Sequence, residues 1–272
     1  MADKKKNAQV VDKESIVGKN LSFAATEAYK LLRTNLLFSI PESKTGCKII
    51  GITSALASEG KSITSVNLAY TFAETGKKVL IIDCDMRKPT VHKILKIKST
   101  PGLSNLLVGL SSVSETVVQT AIHKNLYVLP VGNIPPNPSE LIGSKMMEQV
   151  ISGLSQSFDF IVLDLPPVNV VSDGLVAAKL TDGIVFVVRQ NYCFNAALSE
   201  AVRQLEFLNI KVLGFVMTRG AGEAKRKYGS YKYGRYKYGK YGKYGKYAKY
   251  GDYALDAKAA DITGKDSIKT DD

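Results

Sequence analysis

At 272 residues and 45% apolar composition, the chain is long enough for one large domain with a full core, plus appendages. No apolar run reaches the length of a membrane span, and the charged start MADKKKNAQVVDKES lacks the apolar stretch of a secretory signal. The net charge of +12 is unevenly spread, because residues 221–253 alone hold ten Lys or Arg against two acids.

In chain order, residues 1–21 are expected to form a flexible segment and residues 22–44 to carry a helix for subunit contacts. Within it, TEAYKLLRTNLLF (26–38) puts Tyr29, Leu32 and Leu36 on an apolar stripe, with Thr26 as the expected N-cap. Short runs rich in Ile, Val and Leu follow: CKIIGIT (47–53), KVLIID (78–83), NLYVLPV (125–131), FDFIVLDL (158–165), GIVFVV (183–188) and IKVLGFVM (210–217). Each suits a strand buried on both faces, as in a parallel sheet. Between them, residues 62–75, 139–154 and 195–208 have helical spacing. In the first of these, Ile63, Val66, Ala69/Tyr70 and Ala73 share one stripe, and Gly76 stops the helix. Strand alternating with helix predicts an α/β doubly wound, mainly parallel domain of phosphate-loop type over residues 45–220. Residues 221–272 are too poor in Leu, Ile, Val and Phe to offset chain entropy and are expected to be a disordered tail.

Cys47, Cys84 and Cys193 are scattered and show no CxxC spacing, which argues against a disulfide framework or structural zinc and fits a reducing cytoplasm. His92 and His123 lie far apart, so a histidine metal site or a Ser-His-Asp triad has no support. Both histidines are expected on the surface or in loops.

The chemistry concentrates where the first predicted strand ends. ITSALASEGKSITSVNLA (52–69) runs from strand through a loop of small residues into a helix. Ala55, Gly60, Lys61 and Ser62 match a phosphate-binding loop, with Ala where the first Gly usually stands. Backbone N–H groups from Ser58, Glu59, Gly60 and on to Ile63 would face the phosphates at the helix N-terminus. Lys61 would reach the β- and γ-phosphates, and the Ser62 hydroxyl would ligate Mg²⁺. A second strand end, VLIIDCDMRKP (79–89), carries Asp83 and Asp85, and a third, FIVLDLPP (160–167), carries Asp164. A lone Asp at a strand end is more often a cap, but three acids at one sheet edge beside a phosphate loop read as a site for ATP and Mg²⁺. Arg87 either faces the phosphates or pairs with a nearby acid.

SEGKS, LIIDCDMRKP, IVLDLPP and a C-terminal tyrosine cluster together resemble the bacterial tyrosine kinases, the BY-kinase family, in the stand-alone form found with capsule or exopolysaccharide systems. EAYKLLRTNL (27–36), PGLSNLL (101–107) and NPSELI (137–142) are also similar to family segments, so the resemblance covers residues 22–220 and the tail. It implies transfer of the ATP γ-phosphate to tail tyrosines of a neighbouring subunit, here Tyr228, Tyr231, Tyr233, Tyr236, Tyr238, Tyr241, Tyr244, Tyr247, Tyr250 and Tyr253. Asp83 would accept or orient the phenol proton while Asp85 and Asp164 serve Mg²⁺, the division between Asp83 and Asp85 staying open. Glu27, Lys30 and Arg33 resemble the family's E-x2-R-x2-R pattern of ring contacts, an octamer being one such ring. Lys30 stands where the first Arg would be, and lysine cannot form a bidentate fork; an ordinary solvated helix face is the alternative. Thr218 lies near the position of an Asn that holds the adenine in relatives. The resemblance further implies a membrane-anchored polysaccharide co-polymerase or activator, met near the phosphate loop or residues 101–118. It also implies a protein-tyrosine phosphatase and recruitment to the inner face of the membrane.

A phenol ionises near pH 10, so transfer at neutral pH needs a base or a strong field. Each phosphate adds about −1.5 to −2 of charge, so the basic tail would reverse sign and leave the site, a self-limiting switch. Two other readings stay open. A regulatory ATPase of the division or partition type shares the sheet and loop, but usually carries a Lys at the position of Leu56. A basic tail interleaved with aromatics could bind polyanions, yet no folded nucleic-acid motif accompanies it, and nucleic acid is not an expected partner.

Overall fold

The computed structural model describes residues 21–40 and 46–218. The expectations for the N-terminal segment, the tail and its tyrosines fall outside these residues. In chain order the elements are α1 (Phe23–Ser39), β1 (Lys48–Ser54), α2 (Lys61–Ala73), β2 (Val79–Asp83), α3 (Val91–Leu95), α4 (Leu103–Leu107), α5 (Val113–Thr116), β3 (Val118–Gln119), β4 (Leu126–Leu129), α6 (Pro138–Ile142), α7 (Lys145–Ser155), β5 (Phe160–Asp164), α8 (Asp173–Ala178), β6 (Gly183–Arg189), α9 (Asn195–Phe207) and β7 (Val212–Thr218).

The strands form a seven-stranded sheet in the order β3-β4-β2-β5-β1-β6-β7. All pairings are parallel except β3 with β4. The two-residue period of the strands assigns alternate side chains to two cores. On β2, Leu80 and Ile82 join the core shared with α7 and α9, while Val79 and Ile81 join the core shared with α1, α2 and α3. The inner strands β1, β2, β5 and β6 are therefore buried on both faces, as their continuous apolar runs predict, whereas the edge strand β7, from an equally apolar run, leaves Phe215 and Met217 exposed. Phe72 of α2 stacks on Phe160 of β5 with ring centroids 4.1 Å apart, fixing α2 against the middle of the sheet.

Several local expectations need correction. Helix α1 starts earlier than Thr26, because the Ser22 side chain accepts a hydrogen bond from Ala25 N and caps it. The predicted helix 139–154 is two helices: α6 ends at Gly143, and Ser144 restarts the chain by capping α7 through Met147 N. Strand β3 is only two residues long and exposed, so it carries no apolar signature. His92 is on α3 rather than in a loop, whereas His123 lies in the loop before β4 as expected, half-buried and packed edge-on against Tyr70. Helix α2 is not the two-sided element its stripe suggests, since Ser62, Thr64, Ser65 and Asn67 are buried along with Val66 and Leu68. Buried hydroxyls on a helix covered by sheet, α1 and α3 need partners, and some of those partners are in the candidate site. Phe72→Ala should lower stability by about 3–5 kcal/mol, measured as a reduced midpoint of urea denaturation.

Candidate active site

The loop between β1 and α2 turns through two left-handed positions, Ser58 at φ 65° and Gly60 at φ 96°. At Gly60 a side chain would be both strained and within 3.4 Å of the Thr218 methyl carbon, so the sequence has glycine there. Lys61 and Ser62 then open α2 and are buried. The Lys61 ammonium lies 2.8 Å from Asp85 Oδ2 and 3.9 Å from Asp164 Oδ2. Burial works against its charge, but Asp164 and Asp85 outweigh burial and hold Lys61 above the ordinary lysine range.

Strand register brings the acids together: Asp83 at the end of β2 is the direct partner of Asp164 at the end of β5. Asp83 is fully buried, and both of its oxygens accept backbone N–H groups, from Asp85 at 3.1 Å and from Thr90 and Val91 at 3.2 Å each. Burial, reinforced by Asp164, still pushes Asp83 up to about 8. Asp164 is likewise raised, chiefly by burial. Its Oδ1 accepts from the Ser65 hydroxyl at 2.9 Å, whereas Oδ2 is buried without a hydrogen-bond partner. Asp85 Oδ1 accepts from Lys88 N at 3.0 Å. The Ser62 hydroxyl accepts from Thr90 Oγ1 at 2.8 Å. Among the described residues no three His, Cys, Asp or Glu side chains form a metal cage by themselves. The oxygens of Ser62, Asp85 and Asp164, one of them orphaned, are hard donors of the kind that would hold Mg²⁺.

Of the residues expected in the site, Lys61, Ser62, Asp83, Asp85 and Asp164 converge. Arg87 takes the second of its two anticipated roles: it grips Asp173 with Nε at 2.7 Å and Nη2 at 3.3 Å. Asp173 is buried and also accepts from Ser139 Oγ, so Arg87 joins the segment after β2 to α6 and α8. Glu27 and Lys30 pair with each other on α1 at 2.9 Å, and Arg33 donates to Thr71 O of α2 at 2.6 Å.

Sequence reasoning missed the ties that hold the loop. Buried Glu59 accepts from Leu56 N at 2.7 Å and from Arg189 N at 3.3 Å. The Arg189 guanidinium donates to Ser58 O at 3.2 Å, and Thr218 Oγ1 donates to Glu59 O at 2.5 Å. These contacts link the loop to the ends of β6 and β7, across more than a hundred residues, and no local pattern announces them. Thr218→Val removes one hydroxyl donor at constant shape. A net loss of about 0.5–1.5 kcal/mol predicts ATP binding weakened roughly twofold to tenfold in calorimetric titration.

Residues 47–211 match the family model of the AAA domain. The chain is 38% identical over 206 residues to the tyrosine-protein kinase YwqD of Bacillus subtilis, covering 76% of this chain and 86% of that one. It is 34% identical over 218 residues to the tyrosine-protein kinase CpsD of Streptococcus agalactiae, covering 80% and 90%. Among solved structures, the chimerical protein CapA2B2 superposes with a TM-score of 0.70 at 35% identity, covering 77% of this chain and 90% of that one. With phosphate loop and strand-end acids in place, and relatives aligned over nearly their whole length, the chain belongs to the bacterial tyrosine-kinase family.

Proposed function

We propose that the chain is an ATP-dependent protein-tyrosine kinase that phosphorylates the cluster Tyr228–Tyr253 of a neighbouring copy. The observation that carries this reading is the buried Lys61 at the start of α2, held between Asp85 and Asp164. Phosphates arriving at the loop offer Lys61 a stronger partner, and Lys61 exchanges Asp85 for the β- and γ-phosphate oxygens. The loop N–H groups from Ser58 to Ile63 hold the same phosphates. Bound Mg²⁺ supplies charge neutralisation on the phosphates, and Ser62, Asp85 and Asp164 are the residues that would hold it.

In the transfer, the phenol oxygen forms a bond to the γ-phosphorus as the bond from that phosphorus to the β–γ bridging oxygen breaks. ADP leaves with the electron pair. Asp83 is the proposed group that orients or takes the phenol proton, in addition to holding the turn that carries Asp85. Asp83→Asn should lower the transfer rate by about 10²–10⁴-fold with ATP binding retained, followed by quenched-flow phosphate incorporation.

The biological setting that fits the resemblance is capsular or extracellular polysaccharide synthesis. A membrane-anchored activator would recruit the kinase to the inner face of the membrane, and a phosphatase would reverse the modification. Among the described residues no helix is long and apolar enough to cross a membrane. Subunit contact is proposed on α1, where Phe23, Leu31 and Phe38 are exposed beside Glu27 and Lys30. Phosphorylation would weaken that assembly, an idea that fails if modified and unmodified proteins have the same oligomer mass.

Intact mass after incubation with Mg·ATP tests the activity. A ladder of phosphate additions on Tyr228–Tyr253 in the wild type, absent in Lys61→Met, is the expected result. ATP hydrolysis without additions would overturn the kinase reading in favour of a regulatory ATPase.

A further inference from the structure

We propose that the exposed lysines Lys88, Lys93, Lys96 and Lys98 form a docking surface for the phosphorylated tyrosine segment of a second copy of the chain. The inference rests on the kinase reading above and extends it from substrate to product.

Between Asp85 and Glu115 the sequence contains no acid but five cations, Arg87, Lys88, Lys93, Lys96 and Lys98. Arg87 is neutralised by Asp173. The four lysines are exposed, and among the described residues none of them forms an ion pair. Val91 and Leu95 bury the inner side of α3, leaving Lys93 and Lys96 on the outside.

This surface is attached directly to the reacting groups. Lys88 N donates to Asp85, Thr90 N and Val91 N donate to Asp83, and the Thr90 hydroxyl donates to Ser62. The unmodified tyrosine segment, with ten Lys or Arg against two acids, is repelled by such a surface. A phosphotyrosine carries about −1.5 to −2 of charge and forms charge-assisted hydrogen bonds with ammonium groups. The surface therefore distinguishes a modified tyrosine from an unmodified one by the local negative charge of its phosphate, even while the segment as a whole stays positive. Tyrosines two or three residues apart are separated by about 7–10 Å along an extended chain. Holding one phosphotyrosine beside the site thus keeps the next phenol within reach while phosphates are few, and the weakening of the assembly proposed above follows when phosphates come to outnumber the four lysines. An anionic membrane would suit the same charge. However, no exposed large apolar side chain lies between Arg87 and Thr100 to accompany it into lipid.

The test uses full-length Lys61→Met protein, whose own tail stays unmodified, and synthetic peptides of residues 227–253 with and without phosphate on Tyr241 and Tyr244. Fluorescence anisotropy should show the phosphopeptide binding at least roughly tenfold tighter than the unmodified one, with the margin shrinking as salt rises. Adding Lys93→Glu, Lys96→Glu and Lys98→Glu should abolish the preference. The corresponding triple change to Gln, which keeps the helix without reversing charge, should lower the preference if the Glu variant unfolds. Unchanged phosphopeptide binding in the folded triple variants overturns the proposal, as does a parent protein that ignores phosphate. Loss of binding to phosphatidylserine-containing vesicles, with phosphopeptide binding intact, would overturn it in favour of a membrane surface. The peptides are made chemically, so a chain that fails to autophosphorylate refutes the kinase reading without altering this binding result.

Discussion

Lys61 Nζ stands 2.8 Å from Asp85 and 3.9 Å from Asp164, where the side chains are almost entirely shielded from water. The register of β2 and β5 sets Asp83 beside Asp164 at the same depth. One ammonium cannot neutralise three ionised carboxylates, and burial makes each unmatched charge expensive. The protein answers in two ways: it supplies backbone N–H donors to Asp83, and burial together with Asp164 raises Asp83 toward its neutral form. Much of the surrounding architecture serves this constraint. Helix α2 buries hydroxyls so that Ser65 can reach Asp164, and the turn after β2 is wound around Asp83. In the proposed reading, nucleotide binding would be an exchange of partners: Lys61 would trade its carboxylates for phosphates, and Asp85 and Asp164 would hold a cation that offsets their mutual repulsion.

The phosphate loop depends on a second set of contacts that come from far along the chain. Glu59 is tied to the end of β6 through Arg189 N and to the end of β7 through Thr218. The last described residue, Thr218, therefore touches the loop whose geometry sets phosphate binding. The sequence immediately beyond leads into the tyrosine cluster.

What could be read beforehand was whatever a local pattern encodes. Continuous apolar runs located six strands, because a sheet covered on both faces leaves no polar alternation to confuse the period. Gly60-Lys61-Ser62 and the strand-end acids Asp83, Asp85 and Asp164 were legible for the same reason: topology alone brings the carboxyl ends of parallel strands together. The failures have physical causes too. Ser22 was missed as a cap because Thr26 also offers a side-chain oxygen before a helical run, and only the backbone distinguishes them. The break at Gly143 was hidden because apolar spacing continues across it from α6 to α7. The contacts of Asp173 with Arg87 and of the Glu59 segment with Arg189 and Thr218 have no local signature, because each joins elements distant in sequence. The sequence allows Arg87 two roles, and only the distance to Asp173 decides which it takes here.

Asp83 connects two surfaces of opposite sign. On one side it holds Asp85 in the acidic pocket; on the other it holds the start of α3, from which unpaired lysines face solvent. In the proposed reading a basic tyrosine segment would be drawn to the first surface and repelled by the second, and each phosphate would weaken both preferences. At physiological ionic strength charges are screened over about 8 Å, so such sorting works only if the two surfaces are close together and rigidly related. Backbone N–H groups of Asp85 and Val91, donating at 3.1 and 3.2 Å to the one Asp83 carboxylate, tie the two surfaces together. A base placed on a loop of its own could take a proton equally well. In the role proposed for it here, Asp83 would also fix how far a product must travel before it meets charge that holds it.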